Sequence, residues 1–210
     1  MCGSVLYLPR LNHYLKMNSP ESKPVGWHSR GYLPHFDGGE IVQSITFRLA
    51  DSLPQKLLER WKRELAVECA SEIALRRRIE FYLDQGAGSC HLRNASVAAM
   101  VQNAVLYFDG ARYRVSAWVV MPNHVHLLAS PHVGYELSSI MKSLKSFTSH
   151  EANKLLNRAG QFWQEDYFDR YVRDTEHFAK ALAYIENNPV KANLCRRTED
   201  WPYSSARFRP

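Results

Sequence analysis

The chain has 210 residues, 45% of them hydrophobic, and a formal net charge of +6. That is enough apolar content for one domain with extensions or two small ones, and the positive charge favours an acidic partner, nucleic acid ahead of membrane. Cys2, Cys69, Cys90 and Cys195 are far apart with no C-x-x-C pair, which argues against a disulfide scaffold or a cysteine-based structural zinc. Cys90-His91, in a turn-like stretch, could touch a metal, but no second pair joins it. No run of residues approaches a membrane span. Arg10, Asn12 and His13 interrupt the apolar residues at the start, so no secretory signal is expected and the cytoplasm is the expected compartment.

Residues 1–39 read as an irregular arm. Pro9, Pro20, Pro24 and Pro34, with Gly26, Gly31, Gly38 and Gly39, oppose a long regular element. Trp27, His28, Arg30, Tyr32, His35 and Phe36 interleave bases with aromatics. Such an arm either lies along nucleic acid, stacking on bases and pairing with phosphates, or straps over the core.

Glu40 to Leu49 alternates with period two through Ile41, Ile45, Phe47 and Leu49, the pattern of a strand. Asp51 or Ser52 then suits a helix cap, with Pro54 early in the helix. From Lys56 to Leu83 the pattern is helical in two runs. The block Arg76-Arg-Arg78 is either a DNA contact or a solvated helix face. Gly86-Ala-Gly88 breaks the run, and Val97 to Phe108 forms the next helix.

Tyr113 to Met121 is a strong strand, and Pro122-Asn123 is a turn into a second strand over Val125 to Ala129. His124 and His126 stand two residues apart on that strand, so both imidazoles project from one face and can converge on an ion or a phosphate. The bland alternative is a pair of histidines satisfied by core or loop hydrogen bonds. A long helix follows Gly134 to about Leu156, with Leu137, Ile140, Met141, Leu144 and Phe147 as its apolar stripe and Lys142 and Lys145 flanking it. Asp166 to Val172 reads as a short edge strand. Thr175 is expected to cap a last helix that Pro189 stops.

The order strand, helices, strand, strand, helix, strand is that of a ferredoxin-like α+β fold: an antiparallel sheet with helices on one face. One extra C-terminal helix remains to carry groups to the other face. We place the catalytic unit at 40–190, with a helical insertion at 56–109 and a tail at 191–210. In the last helix Phe178, Ala181, Leu182 and Ile185 form the buried stripe, and His177, Lys180, Tyr184 and Asn188 run beside it. With Asn188 supplying an oxygen, two imidazoles make an open three-ligand site for Mg²⁺ or Mn²⁺, completed by a phosphate oxygen. Tyr184 is then an in-line nucleophile, its phenolate favoured by the ion and by Lys180.

These stretches together resemble the single-tyrosine HUH transposases, in particular the REP-associated branch. The resemblance rests on Val120-Met-Pro-Asn123 before His124-Val-His126, and on Arg30-Gly-Tyr-Leu-Pro-His-Phe36. It rests equally on Phe162-Trp-Gln-Glu-Asp-Tyr-Phe-Asp169, Tyr184-Ile-Glu-Asn-Asn-Pro-Val190 and Trp201-Pro-Tyr-Ser-Ser205. It implies a ferredoxin-like catalytic domain, His124, His126 and Asn188 as ligands of Mg²⁺ or Mn²⁺, and Tyr184 as nucleophile. Because residues before proline avoid helical geometry, Asn187 or water is an alternative to Asn188. The implied activity is cleavage and rejoining of single-stranded DNA beside palindromic hairpins through a 5′-phosphotyrosine. Arg30, Tyr32 and His35 would read the flanking tetranucleotide, and Lys142, Lys145 and Lys180 would contact DNA. The alternative is a catalytically silent regulator that binds hairpin DNA. Insertion-sequence relatives are dimers, the REP-associated branch includes monomers, and both states remain open. Phe162 and Trp163 are expected in the core or the wall of a cleft.

Overall fold

The computed structural model describes residues 39–67 and 72–209, together with the strand residues 27–29 and 34–36. Within the arm, β1 (Trp27–Ser29) pairs antiparallel with β2 (Pro34–Phe36), and β2 lies beside β6 (Phe168–Tyr171). The proline- and glycine-rich pattern gave no sign of this pairing.

The main sheet has four strands. β3 (Gln43–Arg48), β4 (Tyr113–Val120) and β5 (His124–Pro131) join β6 in the order β4-β5-β3-β6, every neighbouring pair antiparallel. This is the ferredoxin-like arrangement expected from the element order, with β6 on an edge as expected. Period-two alternation decides what each face carries. Ile45 and Phe47 of β3, Leu49 just after it, and Val125, Leu127 and Ala129 of β5 face a core closed by α3 (Ala95–Tyr107) and α4 (Leu137–Leu155). A bulge between Val115 and Ala117 shifts the alternation in β4. Trp118 and Val120 consequently face that first core, whereas Ala117, Val119 and Met121 face the opposite side.

The opposite face is covered by α5 (Thr175–Lys191), whose Phe178, Ala181, Leu182 and Ile185 pack on the sheet as the stripe requires. Two local expectations fail at this helix. Its cap is Asp174, whose carboxylate accepts from His177 N–H at 2.7 Å, and not Thr175. Nor does Pro189 stop it: the helix continues to Lys191, because a proline in the final turn removes only one donor, and Ala192 and Leu194 N–H close on the carbonyls of Asn188 and Pro189.

The insertion divides into two parts. α3 is a layer of the main core, capped by Asn94, whose side chain accepts from Ser96 and Val97 N–H. In contrast α1 (Gln55–Val67) and α2 (Glu72–Asp84) enclose a small core of their own around Leu53, Leu58 and Trp61. Neither Asp51 nor Ser52 caps α1. The Ser52 hydroxyl donates to Leu49 C=O at 2.8 Å, and the Asp51 carboxylate accepts from Ser89 N–H at 2.8 Å. That bond draws the two ends of the insertion together at one neck. Gly88 sits there with φ +84°, and a Cβ on it would come within 2.9 Å of Asp51 O.

The C-terminal segment closes the outer edge of β4. Val120 N–H donates to Tyr203 C=O, Trp118 N–H to the Ser205 hydroxyl, Trp201 Nε1–H to Val120 C=O, and Arg209 to Ser116 C=O. The Trp201–Ser205 motif therefore satisfies an edge that would otherwise present free donors and acceptors. Phe162 and Trp163 are buried core residues, and Leu49 and Trp163 form a β-bridge at the end of β3. Among the described residues no helix is long and apolar enough to cross a membrane.

Candidate active site

The alternation that sends Val125 and Leu127 into the first core sends His124 and His126 to the face covered by α5. Tyr184 lies on the same side: its ring centre is 5.6 Å from that of His126. The two strand histidines and the helix tyrosine are therefore one cluster within a single chain.

Each imidazole is oriented by a hydrogen bond at Nδ1. His124 Nδ1 is 2.7 Å from Asn123 Oδ1, and His126 Nδ1 is 2.8 Å from Thr46 Oγ1 on the neighbouring strand. Asn123 is itself fixed, its Nδ2 donating to Leu83 C=O and Ala87 C=O at the end of α2. Asn123 Oδ1 can only accept, so His124 carries its proton on Nδ1 and its Nε2 keeps a lone pair; the Thr46 hydroxyl allows the same tautomer in His126. The two Nε2 atoms face one another at 3.0 Å. Two opposed lone pairs at that separation repel unless a proton or a cation lies between them. Two ligands at about 2.1 Å on adjacent corners of an octahedron stand about 3.0 Å apart, so the pair suits Mg²⁺ or Mn²⁺.

Asn188 is the residue that could supply a third ligand. It is fully buried, its Nδ2 donates to Tyr184 C=O at 3.1 Å, and its Oδ1 has no hydrogen-bond partner. Asn187 is exposed. The continuation of α5 through Pro189 is what keeps Asn188 in helical register one turn beyond the tyrosine. Among the described residues no three His, Cys, Asp or Glu side chains gather as a ligand group.

Electrostatics keep the imidazoles neutral. Burial, with the nearby positive charge of Arg48, holds His124 down at about 3, and burial with the neighbouring His124 holds His126 well below its ordinary value. In the unfolded chain both protonate near 6.5. The folded values lie below the unfolded one, so the stability these rings contribute is fully present above about pH 6.5 and is lost as pH falls towards 3. Each ring is expected to cost up to about 1.4 kcal/mol per pH unit below that threshold. Urea unfolding of metal-free protein at pH 7 and pH 5 checks this: a His124→Asn/His126→Asn protein should lose part of the acid slope, and an unchanged slope contradicts the assignment.

The Tyr184 hydroxyl is buried and makes no hydrogen bond of good geometry, with the Asn188 side chain and the Glu80 carboxylate as its polar neighbours. Burial first, and the Glu80 carboxylate second, push its phenol far above the ordinary range. The ammonium beside the ring is that of Lys191, 5.6 Å from its centre and paired with Asp84 at 3.0 Å. Lys180, expected to fill that position, pairs with Glu176 at 2.6 Å on exposed surface. The helical spacing of Lys180 and Tyr184 suggested proximity, but the lysine turns along the helix to its own i−4 partner.

The remaining expected DNA contacts are dispersed. Lys142 is exposed on α4. Lys145 donates to Glu165 C=O, and burial lowers its ammonium to about 8. His35 lies in β2, opposite His28. Arg30 and Tyr32 fall outside the described residues. The Arg76–Arg78 block is not a single face: Arg76 lies 4.2 Å over the Phe168 ring, Arg78 pairs with Glu64, and Arg77 is exposed. Thr46, Asp84 and Lys191 were missed because their roles depend on partners remote in sequence, and Asn123, beside His124, because it read only as a turn residue. A polar residue between apolar neighbours on β3 was the one available sign, for Thr46.

Residues 100–188, which include both histidines, Tyr184 and Asn188, match the family model described as Transposase IS200 like. A REP-associated tyrosine transposase of Escherichia coli K12 is 29% identical over 108 residues, covering 50% of this chain and 62% of the relative. An uncharacterized protein of Haemophilus influenzae is 22% identical over 111 residues, covering 42% of this chain and 60% of that one. The matches thus span about three fifths of the lengths of these curated relatives. Among solved structures, a REP-associated tyrosine transposase bound to a REP hairpin superposes with a TM-score of 0.52 at 19% identity, over 86% of this chain and 82% of that chain. Its fold is the fold described above.

Proposed function

We propose that the chain, whose residues 100–188 match the IS200-like transposase model and which resembles a REP-associated tyrosine transposase, is a single-tyrosine transposase that cuts and rejoins single-stranded DNA beside hairpins, using Tyr184 as nucleophile. The observation that carries the reading is the 5.6 Å approach of the Tyr184 and His126 rings on one face of the sheet. His124, His126 and Asn188 would hold Mg²⁺ or Mn²⁺. Bound there, the ion would polarise the scissile phosphate and balance its negative charge.

Tyr184 Oη attacks phosphorus as its proton leaves. The new O–P bond replaces the P–O3′ bond, and the departing 3′ oxygen takes up a proton. The product is a 5′-phosphotyrosine ester. It conserves the energy of the broken linkage, so a 3′-hydroxyl can reverse the step without a nucleotide cofactor. Asn123 and Thr46 keep the imidazoles aimed, and burial on the α5 face limits access of water to the ester. One chain supplies both halves of the site, so the reading needs no second subunit. It gives residues 40–190 the chemistry, residues 1–39 the reading of flanking DNA, and residues 191–210 the closure of β4.

The test is incubation of the protein and Mn²⁺ with end-labelled hairpin DNA cut from sequence flanking the gene. A denaturant-stable protein–DNA adduct is expected with folded single strands and not with duplex of equal length. Hairpin retention without adduct under either metal would instead identify a silent regulator.

A further inference from the structure

No reactive group of the candidate site reaches solvent. His124 and His126 are 1% and 2% exposed, and the Tyr184 hydroxyl is buried. A polynucleotide can touch none of them without displacing protein.

Among the described elements, α2 sets charged side chains against this site. Arg76, Glu80 and Asp84 follow at intervals of four and share one face of that helix. Two of them contact the walls of the site, Arg76 over Phe168 of β6 and Asp84 to Lys191 of α5, while Glu80 holds Arg76 at 2.8 Å within the helix. All of these contacts are charged or cation–π. The apolar side of the insertion closes instead on its own small core, apart from the two cores of the sheet. α1 and α2 are joined to the rest of the chain at one neck, where Asp51 accepts from Ser89 N–H and Asn123 holds the end of α2. A unit with its own core, one neck and a polar contact surface can swing aside while the main core stays closed.

Resting on the transposase reading, we infer that α1 and α2 form a cover over the strand-cleaving site, and that Lys191 is a phosphate-binding residue held by Asp84 until DNA enters. Asp84 offers the ammonium what a phosphodiester offers it, an anionic oxygen. The side chain of Lys191 is 47% exposed against 5% for Asp84, and its Nζ is already 5.6 Å from the Tyr184 ring. A phosphate brought to the tyrosine is therefore in reach of Lys191 and competes with the carboxylate. The exchange frees the cover.

Binding of a labelled single-stranded hairpin to the full chain, by fluorescence anisotropy in EDTA, tests this without cleavage. Asp84→Asn should bind about two- to fivefold tighter than the unmodified protein. Lys191→Gln should bind more weakly by a similar factor, with a salt slope smaller by about 0.7, the signature of one lost single-strand phosphate contact. Lys191→Arg should retain the slope. Asp84→Asn should confer no gain in the Lys191→Gln background, a comparison that removes the unpaired buried carboxylate. In hydrogen exchange, amides of residues 74–84 should exchange faster when the oligonucleotide is added. A folded Asp84→Asn protein that binds no tighter, an unaltered salt slope in Lys191→Gln, or slower exchange across α2 would overturn the inference. Hairpin binding that follows this pattern without any adduct would leave the cover standing and sink the proposed chemistry alone.

Discussion

Tyr184→Phe is expected to form no covalent adduct with hairpin DNA, a loss on the order of 10³-fold or more in strand cleavage. The substitution removes one buried oxygen that makes no hydrogen bond of good geometry and leaves the ring against His126. The fold should therefore survive intact. Stability should change by no more than about 1–2 kcal/mol, since a single buried hydroxyl is all that is removed. Hairpin affinity without metal should stay near that of the unmodified protein. Gel analysis of labelled DNA, with circular dichroism and urea unfolding beside it, separates these effects. Adduct formation at full strength by the Phe variant would remove Tyr184 from the mechanism.

His126→Ala is expected to weaken Mn²⁺ binding by more than about 100-fold, because changes merely behind a ligand already cost 10- to 100-fold. Thr46→Val belongs to that milder class: it keeps the imidazole and removes the hydroxyl that orients it at 2.8 Å. Single-strand affinity in EDTA should change by less than about threefold in either variant, since contacts to phosphate by lysine and arginine are separate and salt-sensitive. Isothermal titration with Mn²⁺ gives the comparison. Equal Mn²⁺ affinity in His126→Ala and unmodified protein would contradict the ligand assignment.

What the sequence made legible was whatever depends on local periodicity. Alternation along Val125–Ala129 put both histidines on one face, and the 3.6-residue stripe through Phe178, Ala181, Leu182 and Ile185 fixed which side of the last helix meets the sheet. Together they brought Tyr184 and His126 to the same surface. Less was legible where a role is set by a partner far along the chain. Lys191 and Asp84 are 107 positions apart, and Thr46 and His126 are 80 apart. No spacing rule joins them. Lys180 was a plausible neighbour for the phenol by helical geometry, yet a nearer carboxylate at Glu176 takes its charge. Pro189 is a similar case. The local rule makes it a helix stop, and tertiary packing of the final turn overrides that rule, which is how Asn188 comes to be buried beneath Tyr184.

The insertion shows the same division. Its helical character was plain from Lys56 to Leu83, but which of its faces meets the site was not. Arg76, Glu80 and Asp84 look like an ordinary solvated stripe until β6 and α5 are placed against them. A charged stripe reads alike whether water or a charged wall lies opposite.

The most direct measurement is peptide mapping by mass spectrometry of the protein–DNA adduct after nuclease and protease digestion. The account expects a nucleotide-phosphate mass on the peptide that carries Tyr184, with the ester at its phenolic oxygen. Strand cleavage with that peptide unmodified, or with the phosphate on another side chain, would contradict it.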